Sequence, residues 1–191
     1  MLDNYKIVTV PTNFAKPFDE FSKEEAKEYL NWFLNKKEER KVLLQDIAKD
    51  YFIPDYSIES LKGVYYFMKD NVSYRVRSVH EVNRLNSEIN MKGVEVSQKD
   101  LSETTVSICF DIGVYFGEVL IKNNSQLQWT YCIAPRRHVD YGQPVIKGNT
   151  KMDLNPRRIF EVIASKFVNY KSMPEDQIVE LYDIWLESLC K

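Results

Sequence analysis

The spacing of apolar residues predicts a long first helix that begins after Ser22. Its apolar positions recur at helical intervals: Ala26, Leu30, Phe33, Leu44, Ile47 and Tyr51. The run from Ser22 to Glu25 has the form of a capping box, in which the serine hydroxyl and the glutamate carboxylate each accept a backbone N–H of the other residue. Lys37 and Arg40 interrupt the apolar face, so a bend or a charged side chain reaching towards solvent is expected there.

Shorter elements are predicted on both sides of this helix. Residues 5–10 alternate between apolar and polar, which indicates an edge strand or an ordered arm that ends at the prolines. After Pro54 the pattern predicts a helix over 57–70, a short strand over 72–76 and a further helix over 79–89, broken by Gly93.

The central segment, residues 100–123, is predicted to be a helix. Asp100 is a candidate N-cap with glutamate three residues later, and Asn123-Asn124-Ser125 ends the run. The β-branched residues near its start would also suit a strand. The length of the run and its apolar stripe favour a helix: Ile108, Ile112, Tyr115, Phe116, Val119 and Leu120.

The C-terminal third is predicted to contain strands at 127–134 and 143–148, then two helices. Asn155 is a candidate cap with Pro156 at the first helical position, and Pro174 starts the last helix. The predicted fold class is therefore α+β, with several helices packed on a small, mostly antiparallel sheet. We expect a single domain over 1–191, with an N-terminal helical part (1–70) and an α+β part (71–191).

Composition narrows the possible partners and location. The chain has 191 residues, 44% of them hydrophobic, and a net charge of −2, so nucleic acid is an unlikely partner on overall charge. We expect no apolar run to reach the roughly 18 residues of a membrane span, so no membrane partner is predicted. An odd number of widely spaced cysteines and the absence of a signal peptide suggest a reduced, cytoplasmic protein.

A group of unusual residues lies in and just after the central helix: Asp111, Gly113, Gly117, Glu118 and Trp129. The two glycines leave a flat ridge that indicates close packing of another element. The two carboxylates are seven residues apart and share a helical face. As structural groups they would pair with arginines or accept backbone N–H bonds. Alternatively they would serve as an acid/base pair together with His138 or an arginine. No metal-binding spacing and no known catalytic motif accompanies them, and no cofactor is predicted.

A second group forms a locally basic stretch and is a candidate interaction patch: Arg136, Arg137, His138, Tyr141, Arg157 and Arg158. It could bind an acidic partner or nucleic acid. Alternatively it is a solvated loop whose arginines pair with Asp111, Glu118 or the acidic last helix.

Two stretches carry a family resemblance. The first is the run from Ser22 to Leu34 followed by Glu39-Arg40. The second is the run from Asp111 to Glu118, followed by Trp129, Gln143-Pro144-Val145 and Asn155-Pro156. This arrangement resembles small uncharacterised bacterial proteins, some of which are similar to immunity proteins of polymorphic toxin systems. The resemblance implies one-to-one binding and masking of a cognate toxin, without a cofactor, and it carries no catalytic residue.

Three hypotheses of function follow. The first is a non-enzymatic protein-binding module, of the immunity type. The second is a hydrolase-like enzyme that uses Asp111 and Glu118, which requires both carboxylates to line one open pocket with a histidine in reach. The third is a nucleic-acid-binding accessory protein that uses the basic patch.

Overall fold

Helices dominate the fold, and two small antiparallel sheets complete it. The structure is a computed structural model that describes residues 5–88, 95–170 and 173–191. Within these ranges there are six α-helices: α1 (Lys23–Ile47), α2 (Leu61–Asn71), α3 (Val79–Glu88), α4 (Glu103–Asn123), α5 (Pro156–Tyr170) and α6 (Gln177–Cys190). The five strands are β1 (Tyr74–Val76), β2 (Lys99–Leu101), β3 (Gln128–Tyr131), β4 (Pro144–Lys147) and β5 (Asp153–Leu154). The predicted α+β class is confirmed.

The strands form two separate sheets, although the sequence analysis predicted one. β1 pairs with β2, and β3, β4 and β5 form a three-stranded sheet in that order; every pairing is antiparallel. In the larger sheet Trp129 lies opposite Ile146, and Ile146 lies opposite Leu154. The two-residue strand β5 was not predicted, because so short a run has no alternation to detect.

The capping box at the start of α1 is confirmed. The Ser22 hydroxyl accepts the Glu25 amide N–H at 3.1 Å, and the Glu25 carboxylate accepts the Ser22 amide N–H at 2.8 Å. Phe21, just before the cap, and Ala26 are both buried in one cluster, so they pack as a hydrophobic staple. Later in the helix Arg40 is buried, which corrects the prediction of a bend or a solvent-directed side chain at this point.

α4 is the central helix, and every residue from Ser107 to Leu120 is buried. Its cap is Ser102, whose hydroxyl accepts the Thr105 amide N–H at 3.1 Å, and not Asp100 as predicted. Asp100 lies in β2 instead and pairs with Arg75 and Arg77. The helix ends at Asn123, as predicted.

By length and composition α4 could cross a membrane, contrary to the expectation that no run is long and apolar enough. Its most apolar 18-residue window has a mean hydropathy of 1.5, but 83% of that window is buried inside the protein. The core of this fold therefore explains its apolar character, since a helix that is buried on all sides is hydrophobic all round.

Other predicted boundaries shift by a few residues. α2 begins at Leu61 rather than at 57, and α6 begins at Gln177 rather than at Pro174. Residues 5–10 form an arm without regular structure and not a strand. The predicted break at Gly93 lies outside the described residues. The main hydrophobic cluster extends from Leu44 in α1 to Leu189 in α6 and centres on α4, so α1 and the C-terminal helices share one core.

Candidate functional site

Asp111 lies in the core and is bound by Arg40 and Tyr5. Its Oδ1 accepts Arg40 Nε at 2.6 Å, and its Oδ2 accepts Arg40 Nη2 at 2.7 Å and the Tyr5 hydroxyl at 2.5 Å. Arg40 also donates from Nη1 to the Lys6 carbonyl at 2.5 Å. Asp111 is 2% exposed and Arg40 5% exposed. The pair therefore joins α1, α4 and the N-terminal arm away from water.

Two effects oppose each other at the Asp111 carboxyl group. Burial raises its pKa, and the hydrogen bonds and charge of Arg40, together with the Tyr5 hydroxyl, work in the other direction without cancelling the effect of burial. A buried ion pair of this kind adds little net stability, because removing both charges from water costs several kcal/mol per ion and offsets their attraction.

Glu118 is enclosed in the same way, about two helical turns further along the same face of α4. Its Oε1 accepts Lys37 Nζ at 2.8 Å and Trp129 Nε1 at 2.8 Å, and Lys41 Nζ lies 3.5 Å from Oε2. Burial works to raise the pKa of Glu118, but the hydrogen bonds from Lys37 and Trp129 and the two lysine charges outweigh it, so this pKa is lowered. Glu118 is therefore held as a carboxylate.

The two glycines of α4 allow other elements to approach closely, as predicted. A Cβ added at Gly113 would lie 2.8 Å from the Arg157 amide nitrogen and 2.9 Å from its Cα, both in the first turn of α5. A Cβ at Gly117 would collide with the Trp129 ring. Gly117 thus gives the indole the space to reach Glu118, and Gly113 sets the distance between α4 and α5.

The five residues of the predicted cluster therefore serve packing and charge pairing. Asp111 and Glu118 share a face of α4, and the cations that bind them come from a single helix, α1. Within the described residues neither histidine forms a hydrogen bond to Asp111 or Glu118. Both carboxylates are buried. The arrangement does not meet the condition that a hydrolase-like site would require, an open pocket with a histidine in reach.

The predicted basic patch is divided by the structure into paired and exposed residues. Arg158 donates from Nε to Asp140 at 2.7 Å and from Nη2 to the Val139 carbonyl at 2.6 Å. Arg157 pairs with Glu161 at 2.8 Å. The prediction that these arginines pair with Asp111, Glu118 or the last helix is wrong, because acidic groups in their own neighbourhood bind them.

Arg136, Arg137 and His138 lie on an exposed segment that we call the arginine loop, residues 133–141, between β3 and β4. Within the described ranges neither guanidinium group makes a hydrogen bond or an ion pair. Exposed apolar side chains stand at both ends of the segment, Ile133 (67% exposed) and Val139 (62% exposed). The loop borders a cleft of about 290 Å³ whose other wall includes Phe18 and Asp19.

The arginine loop is held in place by hydrogen bonds to the segment before α1 and to the start of α5. Tyr141, the fourth member of the predicted patch in chain order, is half-buried and donates its hydroxyl to the Phe21 carbonyl at 3.1 Å. Asp140 accepts Arg158 Nε and Asn155 Nδ2, both at 2.7 Å. Asn155 also accepts the Arg158 amide N–H at 3.2 Å, which confirms the predicted cap of α5.

The backbone of the loop is closed by hydrogen bonds of its own. His138 N–H reaches the Pro135 carbonyl at 2.7 Å, and Gly142 N–H reaches the Cys132 carbonyl at 3.0 Å. Gly142 has φ +72°, a conformation that glycine adopts without steric cost. These bonds fix the backbone of the loop, and both of its arginines are exposed.

One contact that the sequence analysis did not predict brings a cysteine to a histidine. Cys132 Sγ lies 3.9 Å from His138 Nδ1, but the Asp140 amide N–H occupies the same nitrogen at 3.2 Å. Burial raises the pKa of the Cys132 thiol, which disfavours the thiolate that a nucleophile requires. This pair is therefore part of the loop's support.

Among residues 5–88, 95–170 and 173–191, no group of three or more His, Cys, Asp or Glu side chains could hold a metal ion. Comparison with protein-family models, with curated proteins and with solved structures finds no match to this chain.

Two sets of residues at these sites were not identified as site residues from the sequence. Lys37 and Arg40 were noticed only as interruptions of an apolar face, which was the available signal, and Lys41 was not noticed. Phe18, Ile133 and Val139 carried no signal, because an apolar residue in a loop is exposed or buried according to the tertiary structure alone.

Proposed function

We propose that this protein is a non-enzymatic protein-binding module that acts as an immunity-type inhibitor of a bacterial toxin. It binds the toxin one to one and masks it, in the cytoplasm. The observation that supports this proposal is the enclosure of Asp111 and Glu118 in ion pairs with α1, which leaves the acidic groups of the central helix to hold the fold. Residues on the surface of the protein then bind the toxin.

The proposal requires a body that does not rearrange when it binds. The shared core of α1, α4, α5 and α6 and the cross-linking of the N-terminal arm to Arg40 support such rigidity. A preformed surface loses little conformational entropy on association, which favours tight binding.

The test uses the protein encoded beside this gene as the candidate toxin. We expect co-expression to restore growth of a bacterial host that produces the toxin, and calorimetry with the purified pair to give a stoichiometry near one. Absence of both protection and binding at micromolar concentration would refute the proposal. A neighbouring gene that encodes no toxic product would also count against it.

Glu118→Gln separates inhibition by binding from enzymatic action. The substitution keeps the shape of the side chain, and a folded variant should protect the host as well as the unaltered protein does. Loss of protection by a variant with an unchanged circular dichroism spectrum would favour the hydrolase-like alternative. The nucleic-acid alternative predicts binding to a DNA or RNA oligonucleotide that weakens steeply with added salt.

A further inference from the structure

We infer that the arginine loop, together with the Phe18–Asp19 wall of its cleft, is the docking surface for an acidic surface on the partner protein. This inference rests on the proposed function, because it assumes that the partner is a protein. It names the part of the molecule that binds and the chemistry that it binds.

The first argument is charge complementarity. Asp140 is the acidic residue of the loop, and Arg158 and Asn155 already occupy it. Arg136 and Arg137 have no such partner among the described residues, and Asp19 is the one carboxylate that lines the cleft with them. Two arginines therefore share the lining of this cleft with one carboxylate. Guanidinium groups bind carboxylates in two-point geometry, so acidic side chains of a partner fit this surface.

The second argument is the mixture of charge and apolar area. Ile133 and Val139 are exposed on either side of the arginines. Protein interfaces combine arginine with an apolar centre, and arginine is among the residues that contribute most to binding energy. Nucleic acid would use the two charges but would leave both branched side chains without a role, so an acidic protein surface is the better fit.

The third argument is rigidity. The loop is bonded to Phe21 before α1, to Arg158 in α5 and across its own base to Cys132. The two arginines are therefore displayed from a fixed backbone in the unbound protein, and the partner does not have to order it.

The test is a double charge reversal, Arg136→Glu with Arg137→Glu, and a matched control. Lys49→Glu with Lys62→Glu makes the same change in charge at the opposite end of α1. The 25 residues of α1 span about 37 Å at roughly 1.5 Å each. Tyr141 places the loop near the start of this helix, whereas Lys49 follows its end, and Gly63 beside Lys62 packs against Phe52.

We expect the double reversal in the loop to weaken binding of the neighbouring toxin by at least about tenfold, with most of the loss appearing as slower association at low salt. The control should change affinity by less than about twofold. If the unaltered protein binds the toxin and the loop variant binds equally well, the docking surface is wrong while the proposed function stands.

A second measurement does not need the toxin. We would titrate a glutamate-rich peptide and, separately, a lysine-rich peptide into isotopically labelled protein and follow the amide signals by NMR. The inference predicts shifts that are confined to residues 136–139 and 18–19. They should occur with the acidic peptide alone and be lost in the loop variant. This result would support the docking surface even if the candidate toxin fails to bind. Shifts centred elsewhere, no shifts at millimolar peptide, or tighter binding of single-stranded DNA than of the peptide would overturn the inference.

Discussion

Arg40 and Asp111 are 71 residues apart in the chain and form a two-point ion pair in the core, with nitrogen–oxygen distances of 2.6 and 2.7 Å. The pair fixes the contact between α1 and α4, and through Tyr5 and Lys6 it also holds the N-terminal arm. Removing one partner of such a pair leaves the other charge buried without compensation, which is strongly destabilising.

Arg40→Met should destabilise the protein by about 3 to 5 kcal/mol, since it leaves the Asp111 charge buried with only the Tyr5 hydroxyl. The double variant Arg40→Met with Asp111→Leu should recover most of that loss, because it removes both charges. Urea unfolding of the two single variants and the double variant measures the coupling. A double variant whose loss equals the sum of the single losses would show that the two side chains do not depend on each other.

Alanine at Gly113 should lower the free energy of unfolding by about 1 to 3 kcal/mol, because its Cβ would press on the backbone of α5 at Arg157. Alanine is a better helix former than glycine by about 1 kcal/mol, so without the close contact to α5 the substitution would stabilise the protein. Gly117→Ala should behave similarly through the Trp129 ring. Asn31→Ala, at an exposed position of α1, also replaces a poorer helix former with alanine and should raise the stability, because no packing opposes it there. A stabilised Gly113→Ala variant would contradict the close approach.

The stability that Glu118 contributes should depend on pH. Its pKa is lowered in the folded protein relative to an ordinary value of 4.5, so its contribution is present above that value and is lost as the pH falls below it. The difference in unfolding free energy between the unaltered protein and Glu118→Gln should be largest near neutral pH and should shrink below about pH 4.5. Urea unfolding of both proteins across this range measures it, and a difference that is constant with pH would show that the carboxylate charge plays no part.

Gly142 supports the arginine loop through its backbone conformation. With φ at +72°, an alanine there should cost about 1 to 2 kcal/mol, although its Cβ would meet only ordinary contacts at 3.6 Å and beyond. Asparagine adopts this conformation more easily, so Gly142→Asn should cost less. Thermal unfolding of the two variants checks this order. A larger loss for asparagine than for alanine would indicate that side-chain crowding, and not the backbone angle, limits this position.

Several elements of the fold could be predicted from residues close together in the chain. The capping box at Ser22, the Asn155-Pro156 start of α5 and the end of α4 at Asn123 all formed where the sequence placed them. Each depends on hydrogen bonds within one helical turn, so neighbouring residues carry the information. The cap of α4 was displaced from Asp100 to Ser102 because pairing of β1 with β2 draws Asp100 into a strand, where distant arginines bind it.

The roles of the charged residues were decided only by the tertiary structure. The sequence indicated that Asp111 and Glu118 share a face of a helix, but it did not identify the cations of α1 as their partners. It also grouped six residues into one basic patch, of which Arg136, Arg137 and His138 are exposed. Helical periodicity and capping act over three or four residues, so the sequence alone determined where most helices lie. Ion pairing and exposure depend on distances through space between segments far apart in the chain, and only the packing of α1 against α4 and of the arginine loop against α5 sets those distances.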